Sequence, residues 1–437
     1  MYREQIKSLQ KWKKDPRRKP LIIHGARQVG KTWLAREFGR QCYSSVAYID
    51  FTNNPRMKVL FEQDLDIERI LQGLKAESGI DIDPQNTLII LDEIQNVPAA
   101  LTALKYFYDT VPEYHIIVAG SLLGLSVNHK TSFPVGKVDF MTLRPLSFRE
   151  FLDALDENQL LELLTSGDIE LISTFRDRYI TLLKTYYFVG GMPEAVRTYI
   201  ESKSWQKVRQ IQNTILTAYD SDFGKHAPVS IVPRIRQIWN NIPAQLSREN
   251  KKYVYGLIRK GARAKDYELA LSWLEDAGLI YRVSRIETPR IPLKAYENFD
   301  AFKIYTLDVG LLTAMTDLSA QTLLEGDEIF TEFKGALTEQ YVLEELKNRH
   351  LYAAYWSRDK GSQAEVDFIV QLDDLIVPIE VKAEENLQSK SLRVYRDKCK
   401  PSYVVRTSLS NYRKDDWLTN IPLYMISQID NKRWYNV

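Results

Sequence analysis

The most constraining feature of this 437-residue chain is an eight-residue string, Gly25-Ala26-Arg27-Gln28-Val29-Gly30-Lys31-Thr32. It lies between an apolar run, LIIH, and a helical pattern, WLAREFGRQ. The string fits GxxxxGK[ST], and a strand, a glycine-rich turn and a helix are the context that pattern requires. Gly25 and Gly30 free the backbone to take positive φ and turn its N–H groups inward, while the following helix adds the positive end of its dipole. Phosphate oxygens are therefore expected against the backbone of residues 25–32. Lys31 would neutralise the β and γ phosphates of ATP, and Thr32 would place its hydroxyl on Mg²⁺. Such a turn commits this part of the chain to a parallel sheet covered by helices on both faces.

The runs VAYIDF, TLIIL and HIIVAG extend that sheet, and the block ends near residue 150. The second half of the site is expected at the C-terminal end of a buried parallel strand beside the first. TLIILDEIQ supplies it, with Asp92 holding Mg²⁺ through water and Glu93 orienting or deprotonating the attacking water. Ser121, ending HIIVAGS, would aim its hydroxyl at the γ phosphate or the lytic water, or else cap the next helix. Lys137 and Arg144 follow as basic residues able to reach transition-state charge, in cis or from a neighbouring subunit.

The remaining chain reads as three blocks. Residues 151–240 are helical and broken at Gly190-Gly191-Met192-Pro193, which predicts a helical lid. In 241–330 the helix YELALSWLEDAG, stopped by Gly278, precedes the strand LIYRVSRI, the pattern of a winged helix. Residues 331–437 read helix, strand, strand, helix, strand. The expected fold class is thus α/β and multidomain: a P-loop parallel-sheet ATPase core, a helical lid, a winged-helix segment and a C-terminal α/β domain.

Composition narrows the partners. Fifty-nine basic and 57 acidic residues leave a net charge of +2, so contact with nucleic acid has to come from a local patch. SRENKKYVYGLIRKGARAK is such a patch, with seven basic residues from Arg248 to Lys265, one acid, Glu249, and Tyr253 and Tyr255 interleaved. It is the expected DNA contact, the alternative being solvated helix faces or packing on protein. Two cysteines, Cys42 and Cys399, are too few for a disulfide framework. With no apolar stretch long enough to span a bilayer, a cytoplasmic chain without membrane contact is expected.

EVDFIVQLDDLIVPIEVKA reads as a hairpin about Asp373-Asp374. If Leu372 faces Leu375, Asp367 falls opposite Glu380 and Glu365 opposite Lys382, all on one face. Two neighbouring carboxylates there need a cation, a proton or Lys382. Glu339, in the preceding helix, shares a face with Leu343 and Leu346. This arrangement resembles the PD-(D/E)xK nuclease core. The resemblance implies Mg²⁺ on Asp367 and Glu380, supported by Glu339, and Lys382 steadying the attacking water; the alternative is a solvated face of ion pairs.

GARQVGKT, LDEIQ, AGS, LRPLSFREF, YYFVGGMPEAV, SWLEDAGLIYRV and YTLDVGLL together resemble the large prokaryotic family of AAA-type P-loop ATPases with a C-terminal domain of unknown function. The resemblance implies ATP binding by Gly25, Gly30, Lys31 and Thr32, hydrolysis with Asp92 and Glu93, and a restriction-endonuclease-like C-terminal half. The family often has Gly-Arg where this chain has Gly136-Lys137, and a lysine lacks the guanidinium fork. The expected function is ATP hydrolysis coupled to work on DNA. The alternative is an ATP-dependent switch whose C-terminal domain is a silent scaffold for a protein partner or a second copy.

Overall fold

The structure, a computed structural model, describes residues 1–120, 134–248, 251–326, 331–358, 364–384 and 389–431. The chain divides into two compact units, one of Tyr2–Arg144 with Asp276–Leu279, the other of Pro145–Glu275 with Ile280–Val437.

The first unit is built on five parallel strands: β1 (Leu21–His24), β2 (Ser45–Asp50), β3 (Thr87–Asp92), β4 (His115–Ala119) and β5 (Asp139–Thr142). All residues of β3 and β4 are buried, as expected where helices cover both faces. Helix α1 (Lys31–Cys42) starts directly from the glycine-rich turn and buries Leu34, Ala35 and Phe38. Helices α2 (Ile67–Ser78) and α3 (Pro98–Thr110) contribute Ile70, Leu74, Leu104 and Phe107 to a core shared with Ile89, Leu91 and Val118 of the sheet.

The strand order is β2-β3-β4-β1-β5. The strand carrying Asp92 was expected beside β1; β4 lies between them. Short apolar runs carry no information about which of them pair, because any two such strands bury similar surface. Ser121, just beyond β4, lies outside the described residues.

The second unit opens with helices, among them α4 (Arg176–Val189), α5 (Pro193–Ser202), α6 (Trp205–His226), α7 (Val232–Leu246) and α8 (Ala264–Asp276). The break after α4 falls where the glycine pair predicts it. Gly190 has φ of +74°, and a Cβ on Gly191 would meet the Leu146 carbonyl oxygen at 2.2 Å. The Leu146 N–H donates to the Gly191 carbonyl at 2.7 Å, and Gly191 N–H donates to Asp308 at 2.6 Å. Asp308 also caps the short helix α9 (Val309–Met315), through Leu311 N–H at 2.9 Å. The motifs LRPLSF, FVGGMP and YTLDVG thus meet at one backbone junction.

The rest of this unit is an eight-stranded mixed sheet. Its strands are β6 (Ile280–Ile286), β7 (Glu297–Thr306), β8 (Ala353–Ser357), β9 (Glu365–Leu372), β10 (Leu375–Val381), β11 (Val405–Ser408), β12 (Arg413–Lys414) and β13 (Thr419–Pro422), in the order β12-β13-β11-β10-β9-β8-β6-β7. The β6–β7 hairpin, expected as the wing of a separate winged helix, forms one edge of this sheet. β6 runs parallel to β8, pairing Arg285 with Tyr355 and Ile286 with Trp356. Helix α10 (Thr331–Asn348) precedes β8, and helix α11 (Lys390–Cys399) lays Leu392 and Tyr395 on Trp356, Val366 and Ile369. No helix among the described residues is long and apolar enough to cross a membrane.

Candidate functional site

At the end of β1 three residues take left-handed backbone angles: Gly25 at +146°, Gln28 at +67° and Gly30 at +95°. Gly25 is obligatory for a second reason, since a Cβ there would meet the Leu143 carbonyl oxygen at 2.1 Å. Gly30 caps α1, whose first residues are Lys31 and Thr32, so the strand-turn-helix expectation holds through residue 32. Lys31 is 7% exposed, and its ammonium donates to the carbonyls of Gly25 at 2.9 Å and Ala26 at 2.7 Å. Burial pulls the Lys31 ammonium down to about 8, against the opposing charges of Glu93 and Asp92.

Asp92 closes β3 and is 4% exposed. Its Oδ2 accepts from the Thr32 hydroxyl at 2.8 Å and from the Tyr48 hydroxyl at 2.8 Å, and its Oδ1 from Glu93 N–H at 3.1 Å. Burial raises the Asp92 carboxyl, against the hydrogen bonds from Thr32 and Tyr48 that favour its charged form. Thr32 and Asp92 thus meet across an intervening strand, because Thr32 starts the helix that joins β1 to β2 across the face of the sheet. Glu93 is the next residue, at φ of +52°, a strained angle for a glutamate, and Gln95 donates to its carboxylate. A hard cation that keeps most of its water fits the oxygen donors Thr32 and Asp92.

Tyr48 carried no motif and was not expected. It stands on β2, with its ring 3.7 Å from the Arg36 guanidinium, one helical turn after Thr32. Three hydrogen bonds therefore fix the Asp92 carboxylate, one of them from outside the P-loop and its strand. Tyr48→Phe should lower kcat roughly tenfold and raise the Mg²⁺ concentration needed for half-maximal rate, because a hydrogen bond to a charged group is worth about 1.5–3 kcal/mol. Nucleotide affinity in EDTA should be unchanged; a parallel loss there would assign Tyr48 to the fold rather than to Asp92. Lys137 pairs with Asp109 at 2.6 Å, and the Arg144 carbonyl accepts from Arg3 at 2.5 Å.

In the second unit, Leu375 pairs with Leu372 and the ladder runs through Ile379 opposite Phe368, the register expected for the hairpin. Gln340 of α10 exchanges two hydrogen bonds with the backbone of Thr306, at 3.0 and 2.7 Å, docking that helix on β7. Glu339, Asp367, Glu380 and Lys382 come together as expected, but further lysines come with them. Glu339 Oε1 accepts from Lys251 at 2.6 Å and its Oε2 from the Tyr305 hydroxyl at 2.9 Å. Lys303, with 1% of its side chain exposed, lies 2.5 Å from Glu365 and 3.8 Å from Glu339. Lys382 pairs with Glu380 at 2.7 Å, and Asp367 accepts from Val381 N–H at 2.8 Å.

Burial, then the neighbouring charges of Glu339 and Glu380, push the Asp367 carboxyl well above the usual range. Burial pushes Glu339 the same way, but the charges of Lys251 and Lys303 outweigh it and leave that carboxyl low. Among the described residues no group of three or more His, Cys, Asp or Glu side chains is placed to hold a metal ion. The expected Mg²⁺ ligands Asp367, Glu380 and Glu339 are gathered, with both Glu339 oxygens and one oxygen each of Asp367 and Glu380 engaged by protein groups, and Glu380 Oε2 buried without a hydrogen bond. Lys303 was legible as a lysine inside the apolar run AFKIY, a position where an unpaired charge would be costly.

The expected DNA segment is also partly turned inward. Lys251 serves the acidic cluster, and Tyr253, 5% exposed, stacks on Phe302 with centroids 5.4 Å apart. Lys252, Arg259, Lys260, Arg263 and Lys265 remain exposed.

Comparison with known proteins places three matches along the chain. Residues 17–152 match the AAA domain family, residues 180–322 a domain of unknown function (DUF8612), and residues 334–426 another (DUF4143). No curated protein matches the sequence. Among solved structures, a Walker-type ATPase of Pyrococcus abyssi is similar at 15% identity and a TM-score of 0.46, over 72% of this chain and 95% of its own. The Orc1 protein of Aeropyrum pernix in complex with DNA is similar at 12% identity and 0.29, over 73% and 93%. A DNA replication initiation factor is similar at 15% and 0.24, over 63% and 92%. The glycine-rich turn and the Thr32–Asp92 contact both lie in residues 17–152, the part of the chain that is similar to the AAA domain family.

Proposed function

We propose that the chain is an ATP-hydrolysing switch that contacts DNA through its exposed basic segment. The observation that carries the ATPase part is the 2.8 Å bond between Thr32 and Asp92, which joins the two halves of a nucleotide site built from separate strands. In this reading the N–H groups of residues 25–32 hold the phosphates, and Lys31 leaves the Gly25 and Ala26 carbonyls for the β and γ oxygens. Thr32 and Asp92 would hold Mg²⁺, which would supply charge neutralisation for the transferring phosphoryl group. Glu93 accepts a proton from the attacking water. Glu93→Gln should lower kcat by about 100-fold or more while leaving ATP affinity intact. A variant that still turns over at the parent rate would move the base elsewhere.

Support for DNA contact is the run of exposed lysines and arginines from Lys252 to Lys265. With Tyr253 packed in the core, this segment offers phosphate contacts rather than base stacking. Replacing Arg259, Lys260 and Arg263 by alanine should weaken DNA binding and flatten the dependence of log K on log salt by about one unit for each phosphate no longer neutralised. An unchanged slope would place the DNA on another surface. Phosphodiester cleavage is no part of this reading, because Glu339 is paired with Lys251 and Glu380 with Lys382.

A further inference from the structure

Four carboxyl groups and three ammonium groups share one cluster in the C-terminal unit: Glu339, Glu365, Asp367 and Glu380 with Lys251, Lys303 and Lys382. They come from α10, β9, β10, β7 and the segment before α8, so the cluster exists only in the folded chain. We propose that Lys303 and Lys251 are the permanent counter-ions of this cluster, standing where a nuclease-like site would take a divalent cation. The C-terminal unit then holds these carboxylates together without metal.

Two observations make the lysines permanent rather than incidental. Lys303 sits inside β7 opposite Val283 of β6, so its ammonium cannot withdraw unless a paired strand moves. Lys251 is anchored two residues from Tyr253, whose N–H donates to the Phe302 carbonyl at 2.8 Å, one residue before Lys303. Most of the donors are also spent. Both Glu339 oxygens are bonded, one Glu365 oxygen faces Lys303, one Glu380 oxygen faces Lys382 and one Asp367 oxygen accepts from Val381, while Glu380 Oε2 is buried without a hydrogen bond. A divalent ion needs several such oxygens open to itself and to its waters. Buried charges are tolerated only when paired in this way, so the lysines supply what the acids need.

The network has a use besides holding the carboxylates together. It ties the start of the basic segment to α10 and to the sheet, so the exposed residues from Lys252 to Lys265 are presented from a fixed base.

The test uses the full chain free of nucleotide, which keeps it independent of the ATPase reading. Melting temperature is followed with EDTA and with Mn²⁺, and bound Mn²⁺ is counted by electron paramagnetic resonance. The parent should melt alike in both and bind Mn²⁺ no more tightly than about 1 mM. Ions that survive Asp367→Asn belong elsewhere and leave the proposal standing; tight binding that Asp367→Asn abolishes overturns it. Lys303→Met should lower the melting temperature by at least about 5 °C, with part of the loss restored by Mn²⁺ on the freed carboxylates. Should that variant fail to fold, Lys251→Met, at the edge of the cluster, gives the same readout with a smaller shift. Two lysine variants as stable as the parent, or neither one responding to Mn²⁺, would also overturn it.

Discussion

Lys31→Ala should lose ATP binding by at least about 100-fold, because the ammonium that turns from two backbone carbonyls to the phosphates is removed and each charge-assisted phosphate bond is worth about 1.5–3 kcal/mol. Titration of a fluorescent nucleotide measures it, and unchanged affinity would remove residues 25–32 from the nucleotide site. The fold should survive, since the loop's shape is set by Gly25, Gln28 and Gly30 rather than by the lysine. A pH dependence follows from the same burial. The Lys31 ammonium is pulled down to about 8, so the free protein holds it charged below that pH and loses the charge above it. Phosphate favours the charged form, so parent affinity should be flat below pH 8 and fall by up to about tenfold per unit above it. Affinity that rises with pH there would contradict the assignment.

Gly191→Ala should destabilise the second unit by about 3 kcal/mol or more. The added methyl would sit 2.2 Å from the Leu146 carbonyl oxygen and 2.7 Å from its nitrogen, and backbone on both sides leaves no soft direction to yield. The shift also strains the Gly191 bond to Asp308, itself a fully buried carboxyl that burial pushes up to about 6. Differential scanning calorimetry of the full chain should show the transition of this unit moved to lower temperature, with the first unit's transition in place. A variant melting like the parent would mean that the 146–191 junction relaxes freely. The junction joins LRPLSF to FVGGMP and YTLDVG through the Leu146 and Gly191 backbone and the Asp308 carboxylate.

Much of the nucleotide site was legible because its parts are local. A turn needing φ above zero at Gly25 and Gly30, and a helix starting on Lys31, lie within eight residues, and an apolar strand ending in Asp92-Glu93 is read from its own composition. The hairpin register was legible for the same reason, since a two-residue connection between Leu372 and Leu375 sets every later pair by counting. Tyr48 was missed because its role depends on β2 lying beside β3, which nothing in VAYIDF states. Lys251 was read outward as part of a basic run, yet its partner Glu339 lies 88 positions away.

The sequence alone therefore determined the phosphate loop, the acids at the end of β3, and the pairing within the β9–β10 hairpin, all of them set by bonds that close over a few residues. Tertiary structure decided the placement of β4 between β1 and β3, the joining of the β6–β7 hairpin to the C-terminal sheet, and the delivery of Lys251 and Lys303 to the acidic cluster. The physical reason is common to all three. Apolar strands pair with whichever partner buries the most surface, and a buried carboxylate takes whichever cation the packing brings within reach, so both outcomes depend on the whole folded chain.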